Sequence, residues 1–203
     1  MLLTDPPLFP AGSLRAYALS IHDIPALQRF FEANPAYFLT IDDQPPGPGA
    51  AEEEYQSEPP AEMSFTQKWN LGLVDNEHAL TGMASVLSGL ISPSVWHIGL
   101  FIIATARHGT GDAVMVYQAL EAWAARHGAQ WLRLGVIAGN TRAERFWEKA
   151  GFCQVRTRTD VAIGKRTHTL RVMVKPLAGG SLAEYFTLVE RDRPGEQPDR
   201  SDP

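Results

Sequence analysis

The run Arg107-His108-Gly109-Thr110-Gly111 follows an apolar segment and precedes a helical stripe. A glycine-rich turn between a strand and a helix leaves backbone N–H groups free beside the positive end of a helix dipole, which suits a diphosphate. A side chain at either glycine would hold such an anion away. Alone, Gly-Thr-Gly is equally the mark of an ordinary strand-to-helix turn, and no Gly-Lys-Ser/Thr follows Gly109 to complete a P-loop. Asp112, directly after the second glycine, reads as a partner for the helix dipole.

A second constellation lies downstream. Asn140 opens a helix, Thr141 and Glu144 match a capping box, and the segment ends Phe146-Trp147-Glu148-Lys149-Ala150-Gly151-Phe152. The first run resembles the acyl-CoA signature of the GNAT superfamily of N-acetyltransferases, Gln/Arg-x-x-Gly-x-Gly/Ala at the end of its fourth strand. The second is similar to that superfamily's Asn-x-x-Ala-x-x-Phe-Tyr-x-Lys-x-Gly-Phe, matched by Asn140, Ala143, Phe146, Trp147, Lys149, Gly151 and Phe152. Two motifs at family-like separation are far more specific than either one.

The resemblance implies a mixed, mostly antiparallel, twisted sheet of about seven strands flanked by helices, an α/β (α+β) fold with a splay between the fourth and fifth strands. It also implies transfer of an acetyl or other acyl group from acetyl-CoA to a primary amine of a small molecule or peptide, by direct attack. Phe101, Ile102 and Ile103 would offer backbone groups to the pantetheine arm, Arg107, His108, Gly109, Thr110 and Gly111 would surround the pyrophosphate, and Asn140, Ala143 and Trp147 would line the far side. The Ile102 N–H would hold the oxyanion. Ala106 stands at the family's Gln/Arg position, with Arg107 one place later, and Trp147 replaces the tyrosine that often protonates the departing thiolate. An indole N–H donates a hydrogen bond but yields no proton near neutral pH, so Tyr117, Tyr37 or solvent would have to substitute.

His97 is the only titratable side chain in Val95 to Ile103 and titrates in the range a base requires. Strict alternation places it on one face with Gly99, Phe101 and Ile103, unless a bulge intervenes. It reads either as the base or as a hydrogen-bonded histidine at a strand edge; Glu62, His78, Asp42 and Asp43 are further candidates. The six histidines show no ligand spacing, so no metal is expected, and Cys153 reads as a buried structural thiol. Glu52-Glu53-Glu54 reads as a solvated helical face, although with Asp42 and Asp43 it gives an acidic flap able to attract a cationic acceptor.

The positioning elements follow from periodicity. Leu14 to Leu19 reads as a strand, His22 to Asn34 as a helix, and Ala36 to Glu62 as an irregular, Pro-rich flap. Strands are expected at Trp69 to Val74, His78 to Leu90, Val95 to Ile103, Trp131 to Ile137, Phe152 to Val161 and Thr167 to Val174. A helix spans Asp112 to His127 and another begins at Thr141. The expected organisation is an N-terminal extension over 1–13, a GNAT domain over 14–176 and a mobile Gly-, Pro- and charge-rich tail over 177–203.

Hydrophobic residues at 44% of a 203-residue chain suffice for one domain with its own core. A formal charge of -5 argues against nucleic acid, and the alternating Arg156 and Arg158 read as a solvated strand face. One cysteine, no signal peptide and no membrane span point to a cytoplasmic monomer or homodimer. The competing reading is a non-catalytic acyl-CoA-binding or regulatory module. The sequence names neither the acceptor nor the acyl chain length.

Overall fold

A computed structural model describes residues 6–195. The strands are β1 (Phe9–Ala11), β2 (Leu14–Ala18), β3 (Gln67–Val74), β4 (Leu80–Ser88), β5 (Val95–Ile103), β6 (Trp131–Ile137), β7 (Cys153–Ile163) and β8 (Arg166–Pro176). The helices are α1 (Ile24–Ala33), α2 (Ala36–Asp42), α3 (Ala50–Gln56), α4 (Asp112–Arg126), α5 (Thr141–Lys149) and α6 (Leu182–Leu188). All eight strands form one sheet, ordered β1-β2-β3-β4-β5-β6-β8-β7. Neighbours are antiparallel except β5 and β6, which α4 connects by the crossover that a parallel pair requires. This is the expected mixed α/β fold with one more strand than the sequence suggested.

The sheet buries both faces. Along α4, within the helix expected over Asp112 to His127, Val116, Tyr117, Leu120, Trp123 and Ala124 form the buried stripe. Trp123 is its centre, with ring centroids 5.5 Å from Phe9, 5.3 Å from Trp69 and 5.4 Å from Trp96. On the opposite face, Leu27, Phe30 and Phe31 of α1 pack with Ala50 and Ala51 of α3 against Met83, Leu100 and Ile102. Pro35 ends α1, as expected, but the flap that follows is more ordered than its composition suggested, because it holds α2 and α3.

The short α3 is anchored by side chains. Its C-terminal carbonyls would be orphaned, and the Lys68 ammonium donates to Glu54 O at 2.7 Å, Tyr55 O at 3.1 Å and Ser57 O at 2.6 Å. Gln28 accepts from the Ala51 N–H at 3.0 Å. Together these contacts fix the roll of α3 and therefore the direction of Glu54.

Both expected boundaries shift outward. Phe9–Ala11 pairs with β2 and Phe9 is buried against Trp123, so the sheet begins inside the segment expected to be an extension. Beyond Pro176, α6 buries Tyr185 and, with Val189, covers Val95, Trp131, Val155, Val172 and Val174. Asp192 is 0% exposed and pairs with Arg133, the Nε to Oδ2 distance being 2.7 Å. Residues 182–192 are thus packed where a mobile tail was expected; an ion pair supplies what their sparse apolar content does not. The last eight residues of the expected tail, 196–203, lie outside the described residues.

Candidate active site

The β5–β6 ladder runs from Val95 opposite Trp131 to Ile98 opposite Leu134 and ends there. β5 continues with β4 to Ile103, and β6 continues with β8 to Ile137. Gly99 to Ile103 therefore presents an edge toward β6 that β6 does not pair, a row of backbone groups able to accept an added strand.

At the C-terminal end of that edge the chain passes through Thr105–Arg107 into the glycine turn. Asn34, buried at the end of α1, accepts from the Thr105 N–H at 2.7 Å and donates to Phe30 O at 2.8 Å, which ties the turn to α1. Gly109 and Gly111 have φ of 84° and 92°, where a side chain is strained, and a Cβ at either would meet no atom within 4 Å. The space beside the turn is open. The N–H groups of Gly109, Thr110 and Gly111 make no hydrogen bond among the described residues, and α4 begins at Asp112. Free donors at a helix start are the ingredients of a diphosphate cradle.

Arg107 does not complete that cradle. Its guanidinium bonds Asp112 at 2.9 Å and Asp75 at 3.1 Å. Asp112, expected as a dipole partner, is a buried arginine partner as well. His108 Nε2 lies 3.0 Å from Ile103 O, so that carbonyl already has a partner.

Two cavities flank the splayed edge. The first, of about 230 Å³, is lined by Ile102, Ile103 and His108 on one wall and by Phe146 and Arg142 on the other. The second, of about 470 Å³, lies toward the flap and the β7–β8 hairpin and is lined by Glu54, Lys68, Ser85, His97, Arg133 and Arg158 among others. Tyr37, Thr40, Phe101, Asn140, Ala143 and Trp147 line both. They form a waist through which a group on one side can reach the other. Asn140 is held there because its side chain caps α5 by accepting from the Ala143 N–H at 3.2 Å. Trp147 packs against Phe101 and Phe152, with centroids 5.5 and 5.3 Å away, so it is a core aromatic and a wall of the waist together.

His97 departs from its expected place. Ser85 pairs with Leu100 and Val86 with Ile98, which leaves Gly99 as an extra residue in β5. This bulge reverses the alternation: His97 faces the second cavity, whereas Phe101 and Ile103 pack with the α4 side. Burial and the adjacent Arg133 guanidinium, 3.3 Å from Nδ1, pull His97 down to about 3. The ring is neutral at any working pH and a poor proton acceptor.

The other candidate bases are placed elsewhere. Asp42 accepts from the Lys165 N–H at 2.8 Å and Asp43 pairs with Arg166, so both clasp the flap to the β7–β8 turn. Neither Glu62 nor His78 lines either cavity; both are exposed. Glu54, read in the sequence as one of three solvated glutamates, instead faces the second cavity, and burial pushes its carboxyl up to about 7 against the pull of Lys68 and Ser85. The signal that distinguishes it from Glu52 and Glu53 is its position on the same face of α3 as Ala50 and Ala51.

Of the tyrosines, Tyr117 lines neither cavity and donates to Glu121 beside Lys175. Tyr37 lines both, and burial together with Glu54 and Asp42 raises its hydroxyl well above the usual tyrosine range. Cys153 is exposed rather than buried. Arg156 is buried and Arg158 half-buried, so neither belongs to a solvated face. Among the described residues no His, Cys, Asp and Glu cluster could hold a metal, and no helix is long and apolar enough to cross a membrane.

Solved structures share this architecture. An acetyltransferase from Thermus thermophilus is similar at 22% identity, covering 82% of this chain and 99% of that one, with a TM-score of 0.63. The ribosomal-protein-S18-alanine N-acetyltransferase from Escherichia coli is similar at 14% identity over 83% and 96% of the two chains, with a TM-score of 0.61. Spermidine N-acetyltransferase from Vibrio cholerae, solved with CoA and spermine, is similar at 17% identity over 81% and 95%, with a TM-score of 0.62. No curated protein sequence matches the chain. These likenesses establish the fold, and the sequence profile of the acetyltransferase (GNAT) family matches residues 27–152, which run from within α1 through the splayed strands and the glycine turn to just past the end of α5. The chain belongs to the GNAT family of acetyltransferases, which use acetyl-CoA.

Proposed function

We propose that the protein transfers an acetyl group from acetyl-CoA to a primary amine by direct attack, across the waist between the two cavities. The observation that carries this reading is the end of β5–β6 pairing at Ile98 and Leu134, beside an open glycine turn. The pyrophosphate would sit on the N–H groups of Gly109, Thr110 and Gly111, with His108 at the rim and Arg107 acting only as a brace. The pantetheine arm would run along Phe101, Ile102 and Ile103, opposite Asn140, Ala143 and Trp147. Relatives of the same fold named for N-acetylation of spermidine and of a protein alanine support an amine acceptor.

The amine nitrogen attacks the thioester carbonyl from the second cavity. The Ala104 N–H donates to Thr81 O, so alternation turns the Ile102 N–H toward Met83 on β4 rather than toward the splay as expected. The oxyanion would instead fall to an N–H on the open side, that of Phe101 or Ile103, a contribution of about 10²–10³ in rate for one such donor. Glu54, with its pKa near the working pH, accepts the amine proton through water. As the C–S bond breaks, the thiolate leaves with the bonding pair and Tyr37 donates a hydrogen bond to it, its raised pKa keeping the hydroxyl protonated. The amine proton held by Glu54 passes to solvent, and solvent protonates the departing thiolate. Tyr37 would thus stabilise the thiolate from the flap by a hydrogen bond, while the proton that the family's tyrosine often supplies comes from solvent. A purely coenzyme-binding module would need neither Glu54 in the second cavity nor Tyr37 at the waist.

The test is thiol release from acetyl-CoA across a panel of amino acids, polyamines, aminoglycosides and peptide N-termini, with mass analysis of the products. Amine-dependent release with an N-acetyl product is expected. Coenzyme binding without transfer to any of them would favour the binding module instead.

A further inference from the structure

The second cavity has charge of both signs, and one of its charges lacks a partner. Arg158 projects from β7 into the space bounded by His97, Arg133, Leu170 and Val172. It forms no ion pair among the described residues, whereas Arg133 is matched to Asp192 and the Arg156 guanidinium donates to Arg191 O. The surroundings offer it no relief: Arg133, Arg156 and Arg191 all oppose its charge, and only the already engaged Asp192 favours it. Holding a half-buried guanidinium without a counter-ion is costly, and the protein has a carboxylate to spare elsewhere in the cavity but not here. The cavity's carboxylates, Glu54 on α3 and Glu58 just after it, both lie on the flap wall.

We infer that Arg158 is a specificity residue that binds the carboxylate of the acceptor, so that the substrate is a small amino acid or a similar amine bearing a carboxylate. This rests on the acyl-transfer reading of the same cavity. An arginine fork matches a carboxylate in plane and charge, and a bidentate pair in a partly dry site is among the stronger polar contacts available. The amine of the same molecule would then lie in the cavity that Glu54 and the waist residues also line. A volume of about 470 Å³ suits a small molecule rather than a folded partner. The same arginines disfavour a polyamine on the β7 wall, where its second cation would meet Arg158 and its neighbours with like charge.

The experiment compares thiol release with a set of amino acids, each supplied as the free acid and as its carboxamide, and with spermidine, for the wild type, Arg158→Gln and Arg158→Lys. Free acids should exceed their carboxamides in kcat/KM by about tenfold or more, the equivalent of one charge-assisted hydrogen bond. Arg158→Gln should erase that preference through KM for the free acids, with KM for acetyl-CoA and turnover of the carboxamides unchanged, and Arg158→Lys should restore part of it. Equal or better turnover of carboxamides or spermidine, or an Arg158→Gln enzyme of unaltered acetyl-CoA KM that keeps the preference, overturns the assignment and leaves acyl transfer standing. No transfer to any acceptor, despite coenzyme binding, overturns acyl transfer and this assignment with it.

Discussion

The Arg133 guanidinium bonds Asp192 through both of the carboxylate's oxygens, Nε to Oδ2 at 2.7 Å and Nη2 to Oδ1 at 3.1 Å, and reaches His97 Nδ1 with its remaining nitrogen. Tyr185 of α6 donates to the same carboxylate at 2.7 Å. The C-terminal segment is therefore wired to a wall of the second cavity. Asp192→Ala leaves a buried arginine without its counter-ion and should lower stability by about 3–5 kcal/mol. Denaturant unfolding checks this, and a loss below about 1 kcal/mol, the range of an exposed pair, would show that the segment is not docked.

Proton transfer is assigned to Glu54 and withheld from His97. A base must be ionised, so kcat/KM should fall as pH drops through about 7, the value to which burial lifts the Glu54 carboxyl. Glu54→Gln should lower kcat by about 10²-fold or more and remove that acid limb. His97→Gln should keep the limb in place, since the ring is already neutral down to about pH 3. A limb that survives in Glu54→Gln and vanishes in His97→Gln reverses the assignment.

The two tyrosines separate in the same way. Tyr37→Phe should reduce kcat by about tenfold or more while sparing KM for acetyl-CoA, the pattern of a contact made in the transition state. Tyr117→Phe removes a hydrogen bond to Glu121 outside both cavities and should act on thermal stability with kcat retained. Steady-state kinetics beside melting curves distinguish the outcomes.

At the coenzyme turn the backbone matters more than the arginine. Gly109→Ala and Gly111→Ala each force a left-handed residue to carry a Cβ, at a cost of about 1–2 kcal/mol, and should raise KM for acetyl-CoA. Arg107→Ala should change that KM by less than about threefold, because its charge is spent on Asp75 and Asp112. A larger rise in Arg107→Ala than in the glycine variants would mean that the side chain swings to the phosphates.

Much of this was legible in the residues. The limits of β5 and β6 could be read to the residue, since Pro93-Ser94 and Gly128 punctuate continuous apolar runs. The glycine turn follows from local chemistry and was readable for that reason, whereas the cap lies one residue before the expected Thr141-x-x-Glu144 box: Asn140 caps α5, and Glu144 accepts from the Gly139 N–H instead. The face of His97 was not, because one extra residue at Gly99 inverts a period-two pattern and its register is set by Ser85 and Val86 on another strand. Glu54 was separable from Glu52 and Glu53 by its spacing from Ala50 and Ala51, but that those alanines are the packed face of α3 is a tertiary fact. The three-residue β1 is too short for any period to show, whereas α6 did carry a signal, the Ser181-x-x-Glu184 capping box, ahead of a run too brief to stand without Asp192.

The central claim is that coenzyme docks on the unpaired edge of β5 and the N–H groups of the glycine turn. Backbone amide hydrogen exchange, measured residue by residue with and without acetyl-CoA, tests it most directly. Slowed exchange is predicted within Gly99 to Ile103 and at Gly109 to Gly111, with little change across the fully paired β2–β3–β4 strands. Saturating acetyl-CoA that leaves those amides unchanged, or protects a different surface, would contradict the account.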